Sequence, residues 1–94
     1  MTISLKFLGT LRHISNTSKL ALSVNGALSV KELLSRLVEE IPALKQSLSL
    51  QQLEDLQSST LILVNGKEIS VLDGLATNLN DGDEVVFVPV VHGG

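Results

Sequence analysis

The chain has 94 residues, a formal net charge of −3, no cysteine and two aromatic residues, Phe7 and Phe87. That length holds one domain. The missing cysteines exclude disulfides, thiolate metal sites and cysteine nucleophiles, and the acidic balance and lack of stacking rings argue against nucleic-acid binding.

The N-terminal MTISLKFLG has neither the basic start nor the long apolar run of a secretion signal. No stretch nears the ~20 apolar residues of a membrane span, so a cytoplasmic protein is expected. Residues 2–8 alternate, with Ile3, Leu5 and Phe7 on one face and Thr2, Ser4 and Lys6 on the other. Period two with apolar residues on one side predicts a half-buried strand. Residues 9–18 are polar and read as a loop. Residues 19–24 alternate again through Leu20, Leu22 and Val24, and Asn25-Gly26 closes them, which suggests an antiparallel hairpin.

Ser29 opens a clear helix. Ser29 and Glu32 have capping-box spacing, in which each side chain satisfies an amide left free by the first turn. Val30, Leu33, Leu34, Leu37, Val38 and Ile41 follow at steps of three and four and form one apolar stripe. Pro42 cannot continue the ladder, so the helix stops near Glu40 or Ile41. Between residues 43 and 59, Leu50, Leu53 and Leu56 recur every third position, which predicts a short second helix over residues 50–56.

TLILVN, residues 60–65, returns to strand character. Asn65-Gly66 signals a type I′ hairpin turn, because both central residues need positive φ, and residues 67–70 would form the return strand. Asp73-Gly74 and Asp81-Gly82 mark further turns, and residues 84–90 form the last strand. One amphipathic helix must bury its stripe on one face of a mixed sheet. With the first and last strands side by side at its centre, this is an α+β chain of β-grasp type, a ubiquitin-like roll. One main helix and a short second one pack on the mixed sheet.

The ending DGDEVVFVPVVHGG is unusual for a globular domain. An apolar strand reaches Pro89, and five residues later the chain ends at Gly93-Gly94. Two residues without Cβ can enter a channel closed to side chains, and they leave the Gly94 α-carboxylate unhindered. Residues 1–90 are therefore read as the folded domain and residues 91–94 as a flexible tail that carries the functional group.

With these elements in place, the sequence resembles the MoaD/ThiS-type ubiquitin-like sulfur carriers. The resemblance rests on ISLKFLGTLRHIS, on VNGKEISVLDGLATNLNDGDEVVFVPVV and on the terminal Gly-Gly. It covers essentially the whole chain, most weakly between Pro42 and Ser59. Within the family the chain looks most like the molybdopterin-synthase small subunit and the archaeal small modifier proteins, and the sequence does not separate the two. The resemblance implies that a ubiquitin-activating-like adenylyltransferase uses ATP to convert the terminal carboxylate to an acyl-adenylate. A persulfide donor then leaves a thiocarboxylate on Gly94. The ATP is used by the partner, and this chain itself binds no cofactor. Gly93 and Gly94 carry over by position. A molybdopterin-synthase large subunit is a further partner the resemblance implies, with Pro89, Val90, Val91 and His92 as the segment threaded into it. His92 lies where the family varies and takes no chemical role.

The other candidates are weaker. His13 and His92 lie far apart, with no carboxylates spaced around them, and read as solvated surface. Asp81, Asp83 and Glu84 do not match a Ca²⁺ loop. They read as a turn with a wet edge and no metal, although the resemblance adds an adenylating partner that could read this acidic rim. The last two long strands are apolar on both faces. If Val85, Phe87, Ile62 and Val64 face the helix, then Leu61, Leu63, Val86 and Val88 form an exposed patch suited to a protein partner, unless the 43–59 connection covers it. Three functions stay open: a sulfur carrier for molybdopterin synthesis, a modifier joined to lysines through Gly94, and a binding module that uses only the scaffold. With no nucleophile–base pair, phosphate loop or metal set, an autonomous enzyme is not expected.

Overall fold

The computed structural model describes residues 1–48 and 60–90. The expected second helix over residues 50–56 and the tail at 91–94 lie outside the described residues. β1 (Thr2–Phe7) and β2 (Lys19–Ser23) form the expected antiparallel hairpin, with Ile3 opposite Leu22 and Leu5 opposite Leu20. Sequence alternation becomes burial: Ile3, Leu5 and Phe7 are buried, and Thr2 and Ser4 are exposed.

The segment between these strands is not the loop its polarity suggested. Thr10–Ser15 winds into a short helix, α1. Only Leu11 and Ser15 on it are buried, and no side chain caps its start, so the helical period is too brief to stand out. Asn16 ends it in the left-handed conformation, at φ 60°.

β3 (Leu28–Ser29) leads directly into α2 (Val30–Glu40). The capping box forms as expected. Ser29 Oγ accepts the Glu32 amide at 3.2 Å, and the Glu32 carboxylate accepts the Ser29 amide at 3.3 Å. Val30, Leu33, Leu34 and Leu37 are buried, and Val38 and Ile41 pack half-buried against the same core. After Ile41, Pro42 opens a 3₁₀ turn, Pro42–Leu44, and Leu44 and Leu48 both enter the core.

β4 (Thr60–Val64) ends at the expected hairpin turn, with Asn65 at φ 50° and Gly66 at φ 84°. The return strand is shorter than expected: β5 is only Lys67–Glu68. The Glu68 carboxylate accepts the Ser70 amide at 2.6 Å and draws Ile69–Val71 into a 3₁₀ turn instead. A second 3₁₀ turn, Gly74–Ala76, occupies the Asp73-Gly74 corner. β6 (Asn78–Leu79) and β7 (Glu84–Pro89) complete the chain.

The main sheet runs β2-β1-β7-β4-β5, and β3 and β6 pair separately as a two-stranded ribbon. The first and last strands are adjacent, as expected, and run parallel, and β4 flanks β7 antiparallel on its other side. Their register places Phe7 beside Phe87, with stacked rings 5.3 Å apart between centroids. Such a pair adds about 0.5–1.5 kcal/mol beyond the area it buries. These rings and the α2 stripe fill the space between sheet and helix. Among the described residues, no helix is long and apolar enough to cross a membrane.

Candidate functional site

β7 is held at its start by side chains and along its length by both neighbours. At the start, Gly82 takes φ 85° in the Asp81-Gly82 turn. The Thr2 amide donates to Asp81 Oδ1 at 2.7 Å, and the Gly82 amide donates to the Thr2 carbonyl at 2.9 Å. The Asp83 carboxylate accepts the Asn80 amide at 2.8 Å and the Asn65 side-chain amide at 2.9 Å. Asn65 Oδ1 in turn accepts the Glu84 amide at 3.0 Å. Asp81 and Asp83 therefore tie this turn to β1 and to the β4–β5 hairpin. The acidic turn also lies at the opposite end of β7 from Pro89, about 17 Å away at some 3.4 Å per residue. Among the described residues, no three His, Cys, Asp or Glu side chains converge as metal ligands.

At the other end, the Leu8 amide donates to the Phe87 carbonyl at 3.0 Å. Pro89 pairs with Thr60, and Val90 is half-buried just beyond the strand. Val91, His92, Gly93 and Gly94 lie outside the described residues. His13 is exposed on α1.

The four residues expected on the outer face are there, and register brings them together. Leu61 sits opposite Val88 and Leu63 opposite Val86, while Ile62, Val64, Val85 and Phe87 are buried under α2. Leu61 is 41% exposed, and Leu63, Val86 and Val88 are half-buried. The patch is apolar and most accessible at Leu61, and residues 49–59 of the connection that could cover it lie outside the described residues. Leu61, opposite Val88, is also at the end from which the chain leaves. Across the sheet the outer face turns polar. Lys6, beside Val86, reaches Glu84 at 3.1 Å, and Lys19 is the cross-strand neighbour of Lys6. Both partners of that ion pair are well exposed, so it contributes little to stability.

Two residues at this end escaped the sequence reading. Leu8 is 45% exposed beside the last ladder bond, and its even position after Lys6 already put it on the outer face. Gly9, at φ 55°, lies directly against Pro89. A glycine between a strand and a short polar segment gives no such signal in one dimension.

A small mixed sheet on one main helix, with its first and last strands adjacent and parallel, is a ubiquitin-like β-grasp fold. The ThiS family model matches residues 5–94, and the chain belongs to that family. The chain is 33% identical to small archaeal modifier protein 3 of Haloferax volcanii, with all of both chains covered. Small archaeal modifier protein 1 of Methanosarcina acetivorans superposes with TM-score 0.79 at 34% identity, covering 99% of this chain and 96% of that one. A chain in the complex of subunits 1 and 2 of the molybdopterin-converting factor from Helicobacter pylori matches at TM-score 0.62 and 26% identity. That match covers 100% of both chains.

Proposed function

We propose that this chain is a sulfur carrier. A partner adenylyltransferase activates the Gly94 carboxylate with ATP, and the activated carbonyl becomes a thiocarboxylate. A carboxylate is a poor electrophile, and joining it to AMP, with release of pyrophosphate, supplies a good leaving group. The terminal sulfur of a persulfide displaces AMP, and cleavage of the S–S bond by a thiol leaves the thiocarboxylate. The chain's own residues bind and present. The patch of Leu61, Leu63, Val86 and Val88 docks on the partner, and Pro89, Val90, Val91 and His92 lead Gly93 and Gly94 into its site. Five residues beyond Pro89 reach at most about 17 Å when extended, enough to enter a buried active site.

One observation carries this reading. The strand that leads to Gly94 is central in the sheet, is paired on both sides, and ends beside accessible apolar surface. Molybdopterin synthesis is the favoured destination, with a larger synthase subunit as the acceptor partner, and the likeness to the Helicobacter pylori complex supports it. A second reading, attack of a substrate lysine on the same acyl-adenylate to form an isopeptide bond, is favoured by the similarity to small archaeal modifier protein 3.

Intact-mass spectrometry after incubation with ATP, the adenylyltransferase and a persulfide donor tests the proposal. The expected product has one oxygen replaced by sulfur, and removing Gly93 and Gly94 abolishes it. Sulfur incorporation by the truncated chain would refute the role of Gly94. Lysine-linked Gly-Gly remnants that depend on Gly94 would establish the modifier reading.

A further inference from the structure

The last turn of the β1–β7 ladder determines how the chain leaves the sheet. Along this parallel pair, Ser4 donates to the Asp83 carbonyl and Leu8 to the Phe87 carbonyl, each at 3.0 Å. The next bond of the series would run from the amide of residue 89 to the Leu8 carbonyl, and proline has no N–H to donate. The ladder stops there, and the Leu8 carbonyl accepts the Leu11 amide instead, at 3.1 Å. On the facing side, β1 also gives way. Gly9 turns out of the strand at φ 55° and ψ −134°, a conformation that residues with side chains avoid.

Gly9 has a second reason to be glycine. A Cβ added there would lie 2.7 Å from Pro89 Cγ and 3.5 Å from Pro89 Cδ. The other described glycines with positive φ, Gly26, Gly66, Gly74 and Gly82, have nothing within 4 Å of such an atom. Their backbone angles alone explain them, whereas at Gly9 the space is filled by the proline ring. On its other flank, Pro89 is paired with Thr60, which is buried and donates its hydroxyl to the Ser47 carbonyl at 3.1 Å. Pro89 is therefore bounded on both sides, by a glycine whose missing side chain makes room and by an anchored strand.

We infer that Gly9 is a positioning residue for activation of the tail: its bare Cα forms a seat for the Pro89 ring, and this seat sets the direction in which Val90 leaves the sheet. The consequence for activation rests on the proposed carrier role, but the seat itself does not. A tail aimed at the adenylating site reaches it without a search, and misdirection of about 1 Å is enough to slow a reaction that depends on placement.

The test compares the wild type with Gly9→Ala, which adds the clashing atom, and Pro89→Ala, which removes the ring. Residual dipolar couplings of the Val86 and Val88 amides stay as in the wild type, and that of Val90 changes in both variants. In adenylation by the partner enzyme, Gly9→Ala lowers kcat about tenfold with KM unchanged, since the docking patch is intact. An unchanged Val90 coupling in both variants overturns the seat. A changed coupling with wild-type kcat overturns its role in activation. Should Gly9→Ala fail to fold, Pro89→Ala decides both points. A wild-type chain that is never adenylated would refute the carrier role, while the couplings would still decide the seat.

Discussion

Replacing Asp83 by alanine separates the part of the molecule that holds β7 from the part that uses it. Asp83 accepts two hydrogen bonds, from the Asn80 amide at 2.8 Å and from the Asn65 side chain at 2.9 Å. Bonds to a charged acceptor contribute about 1.5–3 kcal/mol each when shielded, but water can replace them at this half-exposed turn. Each is therefore reduced to the net value of an ordinary hydrogen bond, about 1 kcal/mol, and the pair together contributes roughly 2 kcal/mol. Asn65 also loses the partner that orients it toward the Glu84 amide, so the loss spreads to the hairpin turn. In a domain of this size 1 kcal/mol moves Tm by about 4–8 °C, so the variant should melt roughly 8–16 °C lower. Below its melting point it should be adenylated with the wild-type kcat and KM, because the acidic turn is at the far end of the strand. Thermal unfolding followed by circular dichroism checks the first half, and pyrophosphate release assayed at room temperature checks the second. An unchanged Tm would refute the hydrogen-bond accounting. A raised KM with an unchanged Tm would mean that the partner reads the acidic turn after all.

Two further substitutions probe the outer face and the main helix. Leu61→Asp places a charge in the accessible patch at little cost to the core, since Leu61 is 41% exposed. Partner affinity measured by calorimetry should fall at least about tenfold, the loss expected when a central apolar contact is replaced by a desolvated charge. Val71→Asp, at a side chain 72% exposed and on the 3₁₀ turn after β5 rather than among the four patch residues, should bind as the wild type does; equal losses in both would deny the patch its role. Ser29→Ala removes the acceptor of the Glu32 amide and should cost about 1 kcal/mol. In denaturant melts this appears as a lower midpoint with an unchanged slope.

The features that the sequence revealed and those that it hid have the same physical origin. The helix from Val30 was legible because its apolar stripe, its serine cap and the following proline all agree within one short window. The β4–β5 turn was legible because Asn-Gly is needed for the φ values that the chain adopts there. α1, β3 and β6 were not, since each spans six residues or fewer and is stabilised by contacts remote in sequence, such as Leu28 opposite Leu79. The same applies at the exit of the strand. Pro89 was visible as a strand terminator, but the glycine that faces it lies 80 residues earlier and is found only once β1 and β7 are side by side. The double apolar character of β4 and β7 did forecast which side chains turn outward, because strand alternation is strict once one face is fixed under α2.

Placing the proposed functional end on a central strand has an energetic consequence for docking. An edge strand or a loop would leave the origin of the tail free to move, and ordering it on binding would cost conformational entropy for each residue fixed. Here Val85 and Phe87 are fully buried, and both neighbouring strands hold the backbone up to Pro89. That ordering has already been met by folding, so the cost left to docking is smaller. Apolar contact at Leu61 and Val88 lies beside the exit and can offset that smaller cost directly. Docking and presentation are then coupled through one rigid element: a change on the outer face alters affinity, a change at Gly9 or Pro89 alters aim, and a change at the acidic turn alters stability. Variants of the outer face and of the acidic turn should each leave the other's readout nearly untouched, a pattern that a mobile or peripheral origin for the tail would not produce.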